Sequence, residues 1–284
     1  MKSTLQPFEP LKISDKAYRY IANLVYETSR IRLGADKHAL VSGRLGKRLR
    51  HLRLTTFEDY CRYLDSPQGV DEIGELVDSI STNHTQFFRE IDHLNYLTTS
   101  ILPEWVPKIA RANSVFRFWS AACSSGEEPY TAAIVLAEYA RNHGNFTWQI
   151  EASDISARIL QRAQKAIYEG SKITLPHPEW VPRYFQKGQG DFNGYFKVSE
   201  FLSRQVKFHR LNLLQSSYPV APNQHVIFWR NVMIYFDNTT QQELINKLSN
   251  QLIPGGYLVV GHSESLLAIQ HCLQSVRPGI YRKP

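Results

Sequence analysis

Two acidic positions could hold a small polar ligand. The first is the loop Ser120-Ala-Ala-Cys-Ser-Ser-Gly-Glu-Glu-Pro-Tyr130, whose small residues allow close backbone approach. It is neither a G-x-G-x-x-G turn nor a Walker A loop, since no Gly-Lys-Ser/Thr occurs. Glu127 and Glu128 stand where a phosphate-binding loop presents N–H groups and no negative charge. A pyrophosphate or triphosphate would be repelled there; a cationic or zwitterionic ligand would not. Asp154, at the end of a second strand candidate, is a natural acceptor for two ribose hydroxyls. The pair favours a nucleoside with an amino-acid tail over a dinucleotide, and S-adenosylmethionine meets that description. Its sulfonium also removes any need for a metal in simple methyl transfer. The plain alternative is a Gly/Ser turn followed by helix-opening glutamates.

Three further stretches carry polar groups in suggestive places. Thr82-Asn-His-Thr-Gln-Phe-Phe-Arg-Glu90 is either a turn with an aromatic anchor or a linker that closes over the ligand, with Arg89 meeting a carboxylate. In Arg230-Asn-Val-Met-Ile-Tyr-Phe236, Asn231 could bond the ligand, and Tyr235 could line a methyl-transfer channel or simply pack. Gly261-His-Ser-Glu264 offers a pocket rim or a structural His–Glu pair. Cys123 has no evident partner base, and neither HExxH nor CxxC occurs, so thiol catalysis and a metal site are not expected.

The elements that must position these groups change character along the chain. Residues 12–80 read as helices: one capped by Ser14, with Tyr18, Ile21, Leu24 and Val25 on one face; one over about 36–52, with Leu40, Val41, Leu45 and Leu49; one capped by Thr56; and one over 71–80. From Ser114 the pattern is strand and helix in alternation, the start of a parallel α/β sheet. Strands are expected at 115–119, 147–153, 226–229 and 257–260. Helices are expected from Pro129 to about 142, at 157–168, at about 239–252 and at about 264–271. A short final strand at about 279–282 suits an antiparallel addition. Between 169 and 205 the rhythm breaks into Pro, Gly and aromatic residues, read as a small antiparallel β insertion, with short strands at 194–198 and 205–209. The expected division is an N-terminal helical domain (1–80), a linker (81–95) and a sheet domain (96–284). In open sheets, ligands bind outside the carboxyl ends of the strands, where all of these candidates fall.

The 284 residues are 43% apolar and 21% charged, enough for a real core and against wholesale disorder. Three scattered cysteines fit a reducing compartment. There is no signal-like apolar start and no run of about 18 apolar residues, so the expectation is a soluble cytoplasmic protein. The net charge is +7, and residues 1–70 hold most of the excess, with 13 Lys/Arg against 7 Asp/Glu. Such a balance permits nucleic acid or an acidic protein as partner.

With these stretches in view, the chain resembles the chemotaxis receptor methyltransferases, the CheR family. The resemblance lies in TNHTQFFRE (82–90), FWSAACSSGEEPYTAA (118–133), ASDIS (152–156), LNLL (211–214), IFWRNVMIYFD (227–237) and GGYLVVGHSE (255–264), and it covers about residues 12–283. It implies a Rossmann-like class I methyltransferase sheet with a helical N-terminal domain. It implies transfer of a methyl group from S-adenosylmethionine to glutamate carboxylates on receptor signalling helices, leaving S-adenosylhomocysteine and glutamate methyl esters. It places Asn83, Thr85, Arg89, one glutamate of GEEPY (Glu127 favoured over Glu128), Asp154, Asn212, Leu213, Asn231 and Val232 around the cofactor. It matches Arg89 and Tyr235 to the arginine and tyrosine near the departing methyl.

A basic helix would dock glutamate-rich receptor helices. Lys37, Arg44, Lys47, Arg48, Arg50 and Arg53 fall in one stretch with no acid between them, although a solvated charged face would look the same. Residues 188–198 are similar to the family version that binds a receptor's C-terminal peptide by strand addition. The expected protein is a cytoplasmic monomer recruited to receptor arrays. The competing readings are an RNA methyltransferase and a non-catalytic receptor-binding module.

Overall fold

The computed structural model describes residues 11–144 and 146–284. The chain forms two compact units, divided between Thr82 and Asn83.

Among its described residues the first unit contains four α-helices: α1 (Asp15–Ser29), α2 (His38–His51), α3 (Phe57–Leu64) and α4 (Glu72–Ile80). Ser14 and Thr56 cap α1 and α3 as expected, accepting the Ala17 and Asp59 N–H groups at 3.2 and 3.1 Å. Ile21 and Val25 of α1, Val41, Leu45 and Leu49 of α2, and Phe57, Tyr60 and Leu76 form its buried core. Leu40, expected on the apolar stripe of α2, is 36% exposed instead.

The second unit opens with α5 (Ile91–Tyr96), a widened helical turn (Leu97–Ile101) and α6 (Leu102–Arg111). There follow β1 (Phe116–Ala121), α7 (Glu127–His143), β2 (Trp148–Asp154), α8 (Ala157–Lys165) and β3 (Ile167–Glu169). Next come α9 (Trp180–Tyr184), β4 (Phe185–Lys187), β5 (Tyr195–Val198), α10 (Glu200–Ser203), β6 (Val206–Arg210) and β7 (Gln224–Phe228). The unit closes with α11 (Asn238–Gln251), β8 (Leu252–Val259), β9 (Gln274–Arg277) and β10 (Ile280–Arg282). Seven strands form one sheet in the order β6-β2-β1-β7-β8-β10-β9; β3-β5-β4 form a separate antiparallel sheet. The first five strands of the large sheet run parallel and β10 is antiparallel to β8, with apolar side chains packed on both faces. This is the expected Rossmann-like sheet with a small antiparallel insertion. Among the described residues, no helix is long and apolar enough to cross a membrane.

Several boundaries differ from the sequence expectation, each for a local reason. Helix α7 opens at Glu127, not Pro129, because Gly126 caps it at φ 96°. A Cβ at Gly126 would come within 2.8 Å of the Tyr168 hydroxyl and 3.0 Å of Ala163 Cβ, so the turn needs glycine twice over. Helix α8 stops at Lys165 because Ala166 turns left-handed at φ 55°, which releases Ile167–Glu169 as the first strand of the small sheet. Residues 206–210 belong to the large sheet, with Val206 opposite Ile150. Strand β8 continues back through Pro254-Gly-Gly256, and a register shift between Gln224 and Val226 of β7 absorbs the irregularity. No helix forms over 264–271: the Leu266 N–H is taken by the Tyr281 hydroxyl at 3.0 Å, and that of Glu264 by Gly261 O at 2.9 Å.

Candidate active site

The carboxyl ends of β1 and β7 lie side by side where the strand order reverses, the usual ligand position in an open α/β sheet. The backbone there is forced. Phe88, Glu90, Ala122, Ser124 and Asn231, none of them glycine, all have positive φ, at 54°, 54°, 119°, 50° and 57°. Each such residue costs on the order of 1 kcal/mol or more and persists only where surrounding contacts over-determine it.

Those contacts are visible. Ala122 and Cys123 N–H both donate to Ser153 O, at 2.9 and 2.8 Å. Ser124 N–H donates to Asp154 Oδ2 at 2.9 Å, and Ser156 N–H to Asp154 Oδ1 at 3.0 Å. The buried Asp154 is thus held rigidly at the end of β2. Ser124 Oγ donates to Asn83 O at 3.1 Å, tying the 83–91 segment to the same loop. Leu211 N–H donates to Asp154 O at 2.9 Å, so Asn212 and Leu213 leave β6 beside Asp154. Asn212 Oδ1 accepts the Leu214 N–H at 3.0 Å, and Leu213 O accepts from the Tyr218 hydroxyl at 2.6 Å.

The 83–91 segment is strapped down by a buried arginine. Arg230 Nη1 donates to Arg89 O at 2.9 Å, while its Nε donates to Glu128 Oε2 at 2.8 Å. Glu128 Oε1 also accepts from Ser120 Oγ at 2.7 Å. Phe88 N–H donates to Thr131 Oγ1 at 3.2 Å, and the Phe87 ring meets Tyr168 and Phe185 edge-on. The Arg89 side chain donates from Nη1 to His84 O at 2.9 Å. Asn231 donates from its side-chain amide to Glu90 Oε1 at 2.9 Å. Val232 and Tyr235 are half-buried and lie in and next to the tight turn Met233–Tyr235.

Two residues that hold this site were not assigned these roles from sequence. Arg230 was read only as the neighbour of Asn231. Glu264, read as rim or half of a His–Glu pair, accepts three backbone N–H groups: Asn231 at 2.8, Met233 at 2.8 and Gly261 at 2.6 Å. It clamps the loops after β7 and β8 together. An acid three residues after Gly261, just past the end of β8, was the only available signal.

The two glutamates of the first loop are separated by their surroundings. Glu128 is engaged with Arg230 and Ser120. Glu127 instead bonds Ser125 Oγ at 2.6 Å and lines a cleft of about 930 Å³ together with Asn83, Thr85, Ser125 and the Phe88 ring. Burial raises the Glu127 carboxyl, opposed by the Ser125 hydroxyl and the backbone. Arg158, Arg162 and Lys172 also line this cleft. Asp154, Asn212, Leu213, Asn231, Val232 and Tyr235 do not line it. They ring the strand ends, joined to Asn83 through Ser124. Cys123 is buried, and burial with the nearby Asp154 and Glu128 carboxylates pushes its thiol well up, so it is no nucleophile.

Glu90, His93 and His262 bring ligand-type atoms within 4.8 Å of one another. Arg230 Nη1 lies 3.2 Å from His93 Nδ1 and 3.6 Å from Glu90 Oε2, so a fixed cation already occupies that corner. Burial, and then Arg230, hold His93 down at about 4. For Glu90, burial raises the carboxyl, but Asn231 and Arg230 outweigh it and leave it lowered.

In the helical unit, the basic run divides. Arg48 forms a two-pronged pair with the buried Glu72, at 2.7 and 2.5 Å, and reaches Glu75 at 3.4 Å. Arg44 donates to Ile80 O and to Thr82 Oγ1. Lys37 pairs with Asp36 at 2.9 Å. Lys47, Arg50 and Arg53 stay exposed.

Comparison with known proteins bears on both units. Residues 16–81 match the family described as CheR methyltransferase, all-alpha domain, and residues 83–280 match CheR methyltransferase, SAM binding domain. The chain is 39% identical to the chemotaxis protein methyltransferase of Borreliella burgdorferi over 93% of its length and 92% of that protein. It is 39% identical to that of Escherichia coli over 92% of this chain and 88% of the relative. Identity to chemotaxis protein methyltransferase 2 of Pseudomonas aeruginosa is 35%, covering 93% and 91%.

Proposed function

Since this chain belongs to the CheR methyltransferase family, we propose that it methylates glutamate side chains on the signalling helices of chemoreceptors, forming glutamate methyl esters. S-adenosylmethionine-dependent methylation in chemotaxis is the activity of the family. The finer assignment rests on one observation: the segment bearing Asn83 and Arg89 is strapped to the sheet's switch point by Ser124 and Arg230, beside Asp154 and Asn231.

The donor set fits the cofactor. A rigid carboxylate at the end of β2 suits two ribose hydroxyls. The loop after β1 carries carboxylates and no lysine or arginine, which suits a cationic ligand and not a polyphosphate. Asp154, Asn83, Thr85, Glu127, Asn212, Leu213, Asn231 and Val232 would hold it, and Glu127 rather than Glu128 because Glu128 is committed to Arg230. When bound, the cofactor supplies an electrophilic methyl group on a sulfonium.

The remaining work belongs to the protein. A substrate glutamate, with an ordinary value near 4.3, is ionised at neutral pH and needs no general base. The site must align its oxygen with the methyl group and keep water out. Arg89 positions that carboxylate; its backbone is fixed by Arg230 while its guanidinium stays partly exposed. Tyr235 presents a hydroxyl or ring face toward the transferred group. No step of this chemistry calls for a metal. Lys47, Arg50 and Arg53 dock the acidic receptor helix, the protein works as a cytoplasmic monomer at receptor arrays, and the β3-β5-β4 sheet takes a receptor C-terminal peptide.

The test is methyl transfer to a receptor cytoplasmic fragment, read as methanol released in mild base. Alkali-labile label on the fragment is expected. Label stable to base, or label on RNA, would replace this reading with a different methyl acceptor.

A further inference from the structure

We propose that Glu264 is a positioning residue with two separable duties: its Oε2 sets the backbone that carries Asn231 to the cofactor, and its Oε1 sets the turn that carries Tyr235 to the departing methyl. This rests on the reading above, in which Asn231 holds the cofactor and Tyr235 faces the transferred group, and deepens it.

Glu264 sits in the loop after β8 and is only 4% exposed. Its Oε2 accepts the Asn231 N–H at 2.8 Å and the Gly261 N–H at 2.6 Å, while its Oε1 accepts the Met233 N–H at 2.8 Å. The two oxygens therefore address different parts of the loop after β7. Asn231 is left-handed at φ 57°, with its side-chain amide on Glu90 Oε1 at 2.9 Å. Met233 opens the tight turn Met233–Tyr235, in which Tyr235 N–H donates to Val232 O at 3.2 Å and Phe236 N–H to Met233 O at 3.1 Å. From α11, Gln241 Nε2 donates to Met233 O and Phe236 O, both at 3.0 Å. The turn is thus pinned at its start and just past its end, and Tyr235 lies between the pins.

Gly261 shows how closely the Oε2 side is fitted. A Cβ there would stand 2.5 Å from Asn231 Nδ2 and 2.9 Å from Glu264 Oε2, closer than non-bonded contact allows. The carboxylate and the Asn231 amide fill the space a side chain would need.

The chemistry of the two oxygens separates the duties. A carboxylate accepts at both oxygens; a glutamine amide accepts at one end and donates at the other. In Glu264→Gln the amide oxygen keeps the side with two N–H donors, Asn231 and Gly261. The NH2 group then faces the Met233 N–H, donor against donor. That buried N–H loses its acceptor and the turn bearing Tyr235 loosens, while Asn231 keeps its place.

The experiment uses the full chain with Glu264→Gln and Gly261→Ala, beside Asn231→Ala and Tyr235→Ala. Calorimetry reads the Kd for S-adenosylhomocysteine. Methyl-ester formation on a receptor fragment, at saturating S-adenosylmethionine, reads kcat and the KM for the fragment. Glu264→Gln should lower kcat about tenfold or more and leave both Kd and KM within about twofold. Gly261→Ala should give the opposite split, with Kd raised about tenfold and the smaller loss in kcat. A glutamate that only stabilised the fold would give no such split. Equal losses in kcat and Kd for Glu264→Gln, or an unchanged kcat, would overturn the proposal. Full kcat in Tyr235→Ala, or an unchanged Kd in Asn231→Ala, would instead remove the roles given to those residues, and this inference with them. Wild-type protein that binds S-adenosylhomocysteine yet esterifies no receptor fragment would remove the receptor-glutamate reading itself, and the Tyr235 half of this inference with it.

Discussion

Helices α2 and α8 carry the same charge at similar spacing and use it differently. In α2, Arg48 is turned into the fold, where it neutralises Glu72, whose Oε1 also accepts the Tyr60 hydroxyl at 2.9 Å. Arg44 is likewise spent on Ile80 and Thr82. In α8, Arg158 and Arg162 face a cleft that the proposed cofactor residues also line. A run of cations is therefore not a docking surface by composition.

The sharpest way to break this contrast is Arg48→Ala. Removing one partner of a buried pair strands Glu72, and a loss of about 3–5 kcal/mol in the stability of the helical unit is expected by chemical unfolding. If Arg48→Ala instead raised the receptor KM at unchanged stability, Arg48 would be a docking residue and not a structural one. Acid should then separate the two units. His93 and His225, both in the catalytic unit, are held at about 4, each by burial first and a nearby arginine second. The unfolded chain protonates them near 6.5 while the folded chain resists, so stability falls as pH drops from about 6.5 to about 4. About 2 kcal/mol for each histidine is expected between pH 7 and 5. Unfolding curves that match at the two pH values would contradict this.

Smaller effects sharpen the cofactor side. Asp154→Ala should weaken S-adenosylhomocysteine binding about tenfold or more by calorimetry, because it removes the proposed ribose acceptor and frees the Ser124 N–H. Glu128→Gln should lower methyl transfer more than it lowers cofactor affinity, since it loosens Arg230 and, through it, Arg89; equal losses would place Glu128 on the cofactor. The smallest change expected is for Lys47→Glu. An exposed charge on α2 should shift the receptor KM only a few-fold, with no change in stability.

Much of this arrangement was legible early. The caps Ser14 and Thr56, the alternation of strands and helices, and Asp154 at a strand end all follow from local chemistry. What stayed hidden were interactions between distant residues. Nothing local marks Glu264 as the acceptor of N–H groups 33, 31 and 3 residues away. Nothing local says that Pro254-Gly-Gly256 continues a strand, since the bulge that permits it lies in β7. Strand β9 went unread because all four of its residues are exposed at the sheet edge, so it shows no alternation.

The sequence by itself determined the class of sheet, the small loop that excludes polyphosphate, and the residues able to receive a nucleoside with an amino-acid tail. Those depend on residue type and short-range spacing. Only the tertiary structure decided which charges are available. Glu127 stays in the cleft because Arg230, 102 residues beyond Glu128, takes the neighbouring glutamate. Arg48 turns away from the proposed docking face because Glu72, 24 residues on, is buried against it. Charge is written in the residue, but its use depends on what the fold brings within about 3 Å of it.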